Sequence, residues 1–322
     1  MEASGDLVGS AEEMRCPVCN GSSSFSEPAS AWGEWRRCTD CKLEFVNPFR
    51  LPQAAEGLFE DAYQGRKDEC EMRDFNRNLE RRNALINAPE LSFWTPAYQS
   101  ILFWLTQNLE PGATVFEIGC GPGFFLHALR KAGFDAVGLD VAEVVVKLNR
   151  DDGYRVWHGR LASMPSAWVR PDAVVATFML HHLDDPMGFL SEIKARWPSA
   201  LIALAQYGPG RKGTLRAAPP RNLTRWNSSS LAAALLRTGY TPSVTDVASS
   251  GVERGSLSRL RTMLRPMTSM PTLYRLSKRI ERQLLPKVLN RFAMDAEVVL
   301  AFGRPDQGFP SRPSAATIAA EQ

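Results

Sequence analysis

The rhythm of apolar and polar positions changes several times along this chain. Ile101, Leu102, Leu105 and Leu109 recur at helical spacing, and Pro111-Gly112 ends that pattern. A short apolar run at 115–118 predicts a strand, and 123–132 a helix closed by Gly133. The alternation continues with a strand at 136–139, a helix at 142–150, and strands at 155–158 and 173–177. A helix at 186–197 and a strand at 201–205 follow. Later come a helix at 228–238 closed by Gly239 and a last strand at 297–302. Alternating strand and helix units of this length predict an α/β fold: a doubly wound, mostly parallel Rossmann-like sheet with helices on both faces.

The rest of the chain has a different texture. Residues 1–14 read as a disordered leader, 15–48 as a small cysteine-bearing module, and 49–95 as a charged helical linker or lid with a helix near 68–86. The sheet domain spans 96–303, and 304–322, rich in Pro, Ala and Ser, reads as a disordered tail. Residues 251–291 hold ten basic side chains against Glu253 and Glu281. Within them Leu273, Leu276, Ile280, Leu284 and Leu285 recur at helical spacing. This pattern fits a solvated helix packed on the sheet, or a peripheral contact with an anionic membrane or phosphorylated acceptor.

Composition narrows the function classes. The chain has 322 residues, 44% apolar and 23% charged, which suits about two globular domains and excludes global disorder. Its net charge of +3 argues against a surface built for nucleic acid. No apolar run approaches the ~18–20 residues of a membrane span. Residues 1–15 carry four acids and no apolar signal region, so a cytoplasmic, reducing setting is expected. Six cysteines then need a reason other than disulfides. Cys16 and Cys19, then Cys38 and Cys41, form two C-x2-C knuckles separated by eighteen residues. That spacing predicts a four-cysteine zinc ribbon whose thiolates fill a tetrahedral shell, a structural site. Cys70 falls in a charged stretch, and Cys120 inside a glycine loop.

The candidate chemistry centres on that loop. Val115-Phe116-Glu117-Ile118 runs into Gly119-Cys120-Gly121-Pro122-Gly123 and then a helix, and Asp140 ends the next strand. Strand, glycine turn and helix make a nucleoside-binding crevice, with an acid placed for ribose hydroxyls. The spacing is G-x-G-x-G, and Phe124 stands where a dinucleotide fold has its third glycine. Glu117 is a poor neighbour for pyrophosphate but suits a ligand carrying an ammonium and a sulfonium, as S-adenosylmethionine (SAM) does.

In these residues the chain resembles the class I SAM-dependent methyltransferase family, in the form that carries an N-terminal four-cysteine zinc ribbon. Phe116 to Gly123 match the family's first motif, and Gly138-Leu139-Asp140 its ribose-binding strand end. Phe178-Met179-Leu180-His181-His182-Leu183-Asp184-Asp185-Pro186 resembles the motif after strand four. Pro219-Pro220-Arg221-Asn222-Leu223-Thr224-Arg225-Trp226 is similar to a substrate-side loop, and Phe45-Val46-Asn47-Pro48 to the ribbon's exit. The resemblance implies a seven-stranded sheet with a reversed last strand. It implies that Glu117, Gly119, Cys120, Gly121, Gly123, Asp140, Val141, Leu161 and Ala162 bind the cofactor. Many relatives carry an acid where this chain has Gly159-Arg160, which leaves the Leu161 and Ala162 backbone to serve the adenine.

Methyl transfer needs alignment and exclusion of water, and for an oxygen or nitrogen acceptor also a base. His182 is the candidate base, with its neighbour His181 as the alternative; a histidine that merely caps the next helix is the competing reading. Arg221, Asn222, Arg225 and Trp226 either grip the acceptor or position the following helix. The expected activity is methyl transfer to a small-molecule or glycan-type acceptor. An RNA methyltransferase holding RNA on its ribbon and a non-catalytic SAM-binding regulator are the alternatives.

Overall fold

A computed structural model describes residues 14–29, 33–47, 49, 95–208, 219, 222–247 and 298–306. The leader up to residue 13, the lid from 50 to 94, the basic segment 251–291 and the tail beyond 306 lie outside the described residues.

Among the described residues, eleven strands form two sheets. The larger has seven, in the order β10-β11-β8-β7-β4-β5-β6. Its members are β4 (Thr114–Ile118), β5 (Asp135–Asp140), β6 (Arg155–His158), β7 (Ala173–Thr177), β8 (Leu201–Tyr207), β10 (Tyr240–Val247) and β11 (Val298–Pro305). β4 pairs in parallel with β5 and β7, and β11 runs antiparallel to both β8 and β10. The expected seven-stranded, doubly wound sheet with one reversed strand is present. β10 is an addition to the pattern reading, and β11 runs on to Pro305.

Alternate residues of the strands feed two cores, as the two-residue period of a strand requires. Val115, Ala173 and Val175 point to one face, where α1 (Thr95–Thr106), α2 (Phe124–Lys131) and α3 (Glu143–Asp151) add Ile101, Leu105, Phe125, Leu129 and Val146. Phe116, Val174 and Ala176 point to the other, where α4 (Pro186–Arg196) and α5 (Ser228–Arg237) add Leu190, Ile193, Leu231 and Leu235. The starts of α4 and α5 are fixed by capping. The Asp185 carboxylate accepts from Gly188 N at 2.7 Å with Pro186 in the first turn. Asn227 and Ser230 form a reciprocal capping box on α5. Asp185, in the motif after β7, is thus occupied in holding a helix.

The smaller sheet is the ribbon. β1 (Ser23–Pro28), β2 (Glu34–Cys38) and β3 (Glu44–Asn47) run antiparallel. A fourth strand, β9 (Thr224–Arg225), joins β3 from the far side of the sequence. Two residues of the segment expected as a substrate-side loop, Thr224 and Arg225, therefore belong to the ribbon's sheet. Cys16, Cys38, Leu43 and Phe45 share one continuous apolar core with Trp226, Leu231 and Leu235.

Candidate functional site

The strand order reverses between β4 and β7, so the chain opens a crevice at their carboxyl ends. The glycine loop sits there. Gly119, Gly121 and Gly123 have φ of 75°, 47° and 79°, a left-handed path that only glycine follows without strain. The amides of Gly119 and Cys120 donate to Leu139 O at 2.8 and 3.0 Å, which hooks the loop over the end of β5. A second close approach lies beneath it: a Cβ on Gly138 would stand 2.9 Å from Cys120 Sγ. The Cys120 thiol is turned inward, and burial, then Asp140, then Glu117 push its pKa well up.

Asp140 ends β5 and is buried. Its Oδ2 accepts from Gly121 N at 2.8 Å and its Oδ1 from Ala142 N at 2.9 Å. The acid therefore ties the glycine loop to the start of α3. Beside it Val141 exposes 42% of its surface, an uncovered apolar side chain at the crevice rim. Leu161 is buried at the head of a short turn spanning Leu161–Ser163, and Ala162 is exposed on it. Arg160 is also exposed.

Glu117 is buried in the crevice with one carboxyl oxygen unmatched. It is 1% exposed, and its Oε2 has no hydrogen-bond partner among the described residues. Burial first, then the charge of Asp140, hold its carboxyl well above the ordinary carboxylate range. A buried oxygen of this kind asks for a donor or a cation. Two carboxylates at the ends of adjacent strands, both acceptors, fit a ligand that brings hydroxyls and positive charge.

Two buried polar residues here escaped the sequence reading. Asn149 on α3 donates through Nδ2 to Gly121 O at 2.8 Å and to Val145 O at 2.9 Å. Its signal was an amide four residues after Val145 on an apolar helix face. Gln206, near the end of the apolar strand β8, lies 2.9 Å from His181 Nδ1 through its Oε1, and its Nε2 has no partner among the described residues.

The other side of the crevice is aromatic. Phe178 takes a left-handed φ of 54°, unusual for a bulky residue, and stacks on Tyr207 with centroids 4.5 Å apart. Strain at such a position costs about 1–3 kcal/mol and clusters at functional sites. The turn Leu180–His182 follows, with the two imidazoles 3.9 Å apart. His181 is the buried member and His182 is half-buried. Arg225 and Trp226 face the ribbon and the core rather than the crevice. Arg225 Nη1 pairs with Glu27 Oε1 at 2.5 Å and Glu44 Oε2 at 3.2 Å, and Trp226 is fully buried. Asn222 is buried, and Arg221 lies outside the described residues.

The four ribbon cysteines converge. Their Sγ atoms all lie within 4.8 Å of one another, with Cys16 to Cys41 at 3.6 Å and Cys19 to Cys38 at 3.4 Å. Sulfurs around a zinc ion at about 2.3 Å would stand ~3.8 Å apart, so the donor set fits a tetrahedral metal. All four thiols are free of disulfides. The knuckles repeat each other: Val18 N and Asp40 N donate to Cys16 Sγ and Cys38 Sγ, each at 3.4 Å. Asn20 and Lys42, each following a knuckle's second cysteine, take φ of 60° and 63°. Crowding couples the thiols: contact with Cys41 lowers the pKa of Cys16, and contact with Cys16 raises that of Cys41.

A ribosomal protein L11 methyltransferase of Cupriavidus necator is 39% identical over 71 residues, covering 21% of this chain and 24% of that protein. A ubiquinone biosynthesis O-methyltransferase of Methylococcus capsulatus is 33% identical over 82 residues, covering 23% and 35%. The chain thus spans about a quarter to a third of these curated relatives' length. Among solved structures, a Haloferax volcanii methyltransferase in complex with the Trm112 activator has a TM-score of 0.49 at 18% identity, covering 71% of this chain and 96% of that one. The family described as "Methyltransferase domain" matches residues 57–242, more than half of the chain. A match of that length, over a sheet whose order reverses beside Glu117 and the glycine loop, means that the chain belongs to the class I SAM-dependent methyltransferase family.

Proposed function

We propose that this chain transfers a methyl group from SAM to an oxygen or nitrogen of a small-molecule or glycan-type acceptor. Glu117 carries the reading: a buried carboxylate oxygen without a partner among the described residues, beside left-handed glycines and Asp140. Bound SAM would supply a methyl carbon activated by a sulfonium. The chain's own part is to hold, orient and exclude water. Asp140 takes the ribose hydroxyls while keeping the glycine loop in place. Glu117 orients the methionyl end, with Gly119, Cys120, Gly121 and Gly123 passing their backbone close to it. Val141 borders the adenine, and the Leu161 and Ala162 backbone meets its edge. On the acceptor side His181 and His182 are the groups able to take a proton.

Cys16, Cys19, Cys38 and Cys41 hold a structural zinc. Their full complement of four sulfurs leaves no open position for a reacting group. The ubiquinone relative is an O-methyltransferase by name, which supports an oxygen acceptor. The ribosomal-protein relatives favour a macromolecular acceptor instead. A net charge of +3 weighs against RNA.

Calorimetric titration with SAM, with NAD as control and zinc read on the same sample, tests this reading. Micromolar SAM affinity, no NAD binding and one zinc per chain are expected. A folded, zinc-loaded protein that ignores SAM would overturn it and leave a binding module.

A further inference from the structure

The ribbon and the acceptor side of the crevice share a joint, and one residue stands at its centre. Leu223, fully buried, accepts from Val46 N at 3.0 Å through its carbonyl and donates to His181 O at 2.8 Å through its amide. A single residue therefore links ribbon strand β3 to the histidine turn. The next residues, Thr224 and Arg225, pair with Phe45 and Glu44 as β9. Two further ties hold the joint shut. Asn227 Nδ2, at the cap of α5, donates to Lys42 O at 2.6 Å, directly after the second knuckle. Arg225 lays its guanidinium 3.7 Å from the centroid of the Trp35 ring and reaches both Glu27 and Glu44.

Arg225 is 8% exposed and Glu44 is 2% exposed, so their attraction is little screened and neither tolerates losing the other. An arginine is suited to this place. Its flat fork stacks on an indole while serving two carboxylates, which a lysine ammonium cannot do. By contrast, the glycine loop takes its bonds from β5, α3 and Asp140, and none of these hydrogen bonds involves the ribbon.

We propose that Arg225 is a positioning residue: it clamps the cysteine ribbon onto β9 and so, through Leu223, fixes the backbone of His181. The state of the ribbon then sets the acceptor side of the crevice and leaves the cofactor side untouched. The metal arm of the test rests on the zinc reading above; the Arg225 arm does not.

The full chain has four histidines, so their ring signals are separable by nuclear magnetic resonance. Two perturbations are compared, Arg225→Met and removal of zinc from the wild type by a chelator, with Arg225→Lys as the conservative variant. In both, SAM affinity should stay within about threefold of the untreated protein. The His181 and His182 ring signals should shift while those of His127 and His158 hold. The Leu223 amide should exchange about tenfold faster with solvent. Arg225→Lys should restore the signals only in part. Unmoved His181 and His182 signals in Arg225→Met would overturn the proposal, as would SAM affinity lost together with the zinc. If Arg225→Met fails to fold, the wild-type chelation decides by the same signals. A wild type that holds no zinc sinks the metal reading, and Arg225→Lys then decides the clamp.

Discussion

The proposed cofactor side of the crevice and its proposed acceptor side are built by opposite means. Glu117, the three loop glycines and Asp140 fall between residues 117 and 140, on two adjacent parallel strands and the turn between them. The acceptor side draws its joint from residues 27–46 and 223–227. Its central ion pairs, Arg225 with Glu27 and with Glu44, span 198 and 181 residues of sequence. A local site is written as a motif and can form as soon as its strands pair. A non-local one exists only after two remote segments meet.

Cys38→Ser attacks the non-local half, with the largest expected effect. Structural zinc contributes about 10 kcal/mol to folding of such a module, so the variant should lose its metal and its ribbon. The larger sheet should remain, with SAM still bound. Full zinc occupancy in the variant, by metal analysis, would contradict a four-cysteine site.

Asp140→Ala attacks the local half. It removes a charged acceptor that serves two backbone amides here, and SAM affinity should fall by about 1.5–3 kcal/mol in a calorimetric titration. Unchanged affinity would rule out the ribose role, and lost zinc would show that the halves are not separable.

Glu117 sharpens the comparison through pH. Burial and Asp140 raise its pKa, so the native state binds more protons than the unfolded chain. The ligand-free protein should therefore lose stability as pH climbs above the ordinary carboxylate value toward the native one. A cation beside Glu117 favours the ionised form, so SAM binding should release a proton and tighten with pH by up to about tenfold per unit in that window. Titrations in buffers of different ionisation enthalpy measure the proton directly, and Glu117→Gln should abolish its release. A release that survives the substitution would assign it to another group.

Asn149→Ala should have the smallest effect. Losing its bonds to Gly121 O and Val145 O should cost about 1 kcal/mol in SAM affinity, with zinc unchanged.

The same division explains what the sequence revealed. The 155–158 and 173–177 strands, the glycine loop and the two knuckles rest on neighbours a few positions apart, so pattern and spacing expose them. β10 carries Thr241, Pro242, Ser243 and Thr245, polar residues and a proline that an edge strand tolerates and a pattern search passes over. β9 is two residues long and is a strand only because β3 lies beside it. In sequence Arg225 reads equally as gripping an acceptor or as positioning the next helix, because nothing local says that Trp35 and Glu44 lie against it. Among the histidines, only the three-dimensional turn tells that His181 is the buried one.

The reversed strand carries one more consequence. β11 runs antiparallel to β10, and Val247 is paired directly with Val298. The chain thus leaves the sheet and re-enters it through one doorway, at the carboxyl edge where the crevice opens. Whatever the chain does between those two residues, the sheet registers only a short gap between neighbours. The closure cost of such an excursion grows only with the logarithm of its length. The sheet itself asks of that excursion only that its two ends, Val247 and Val298, meet as paired neighbours.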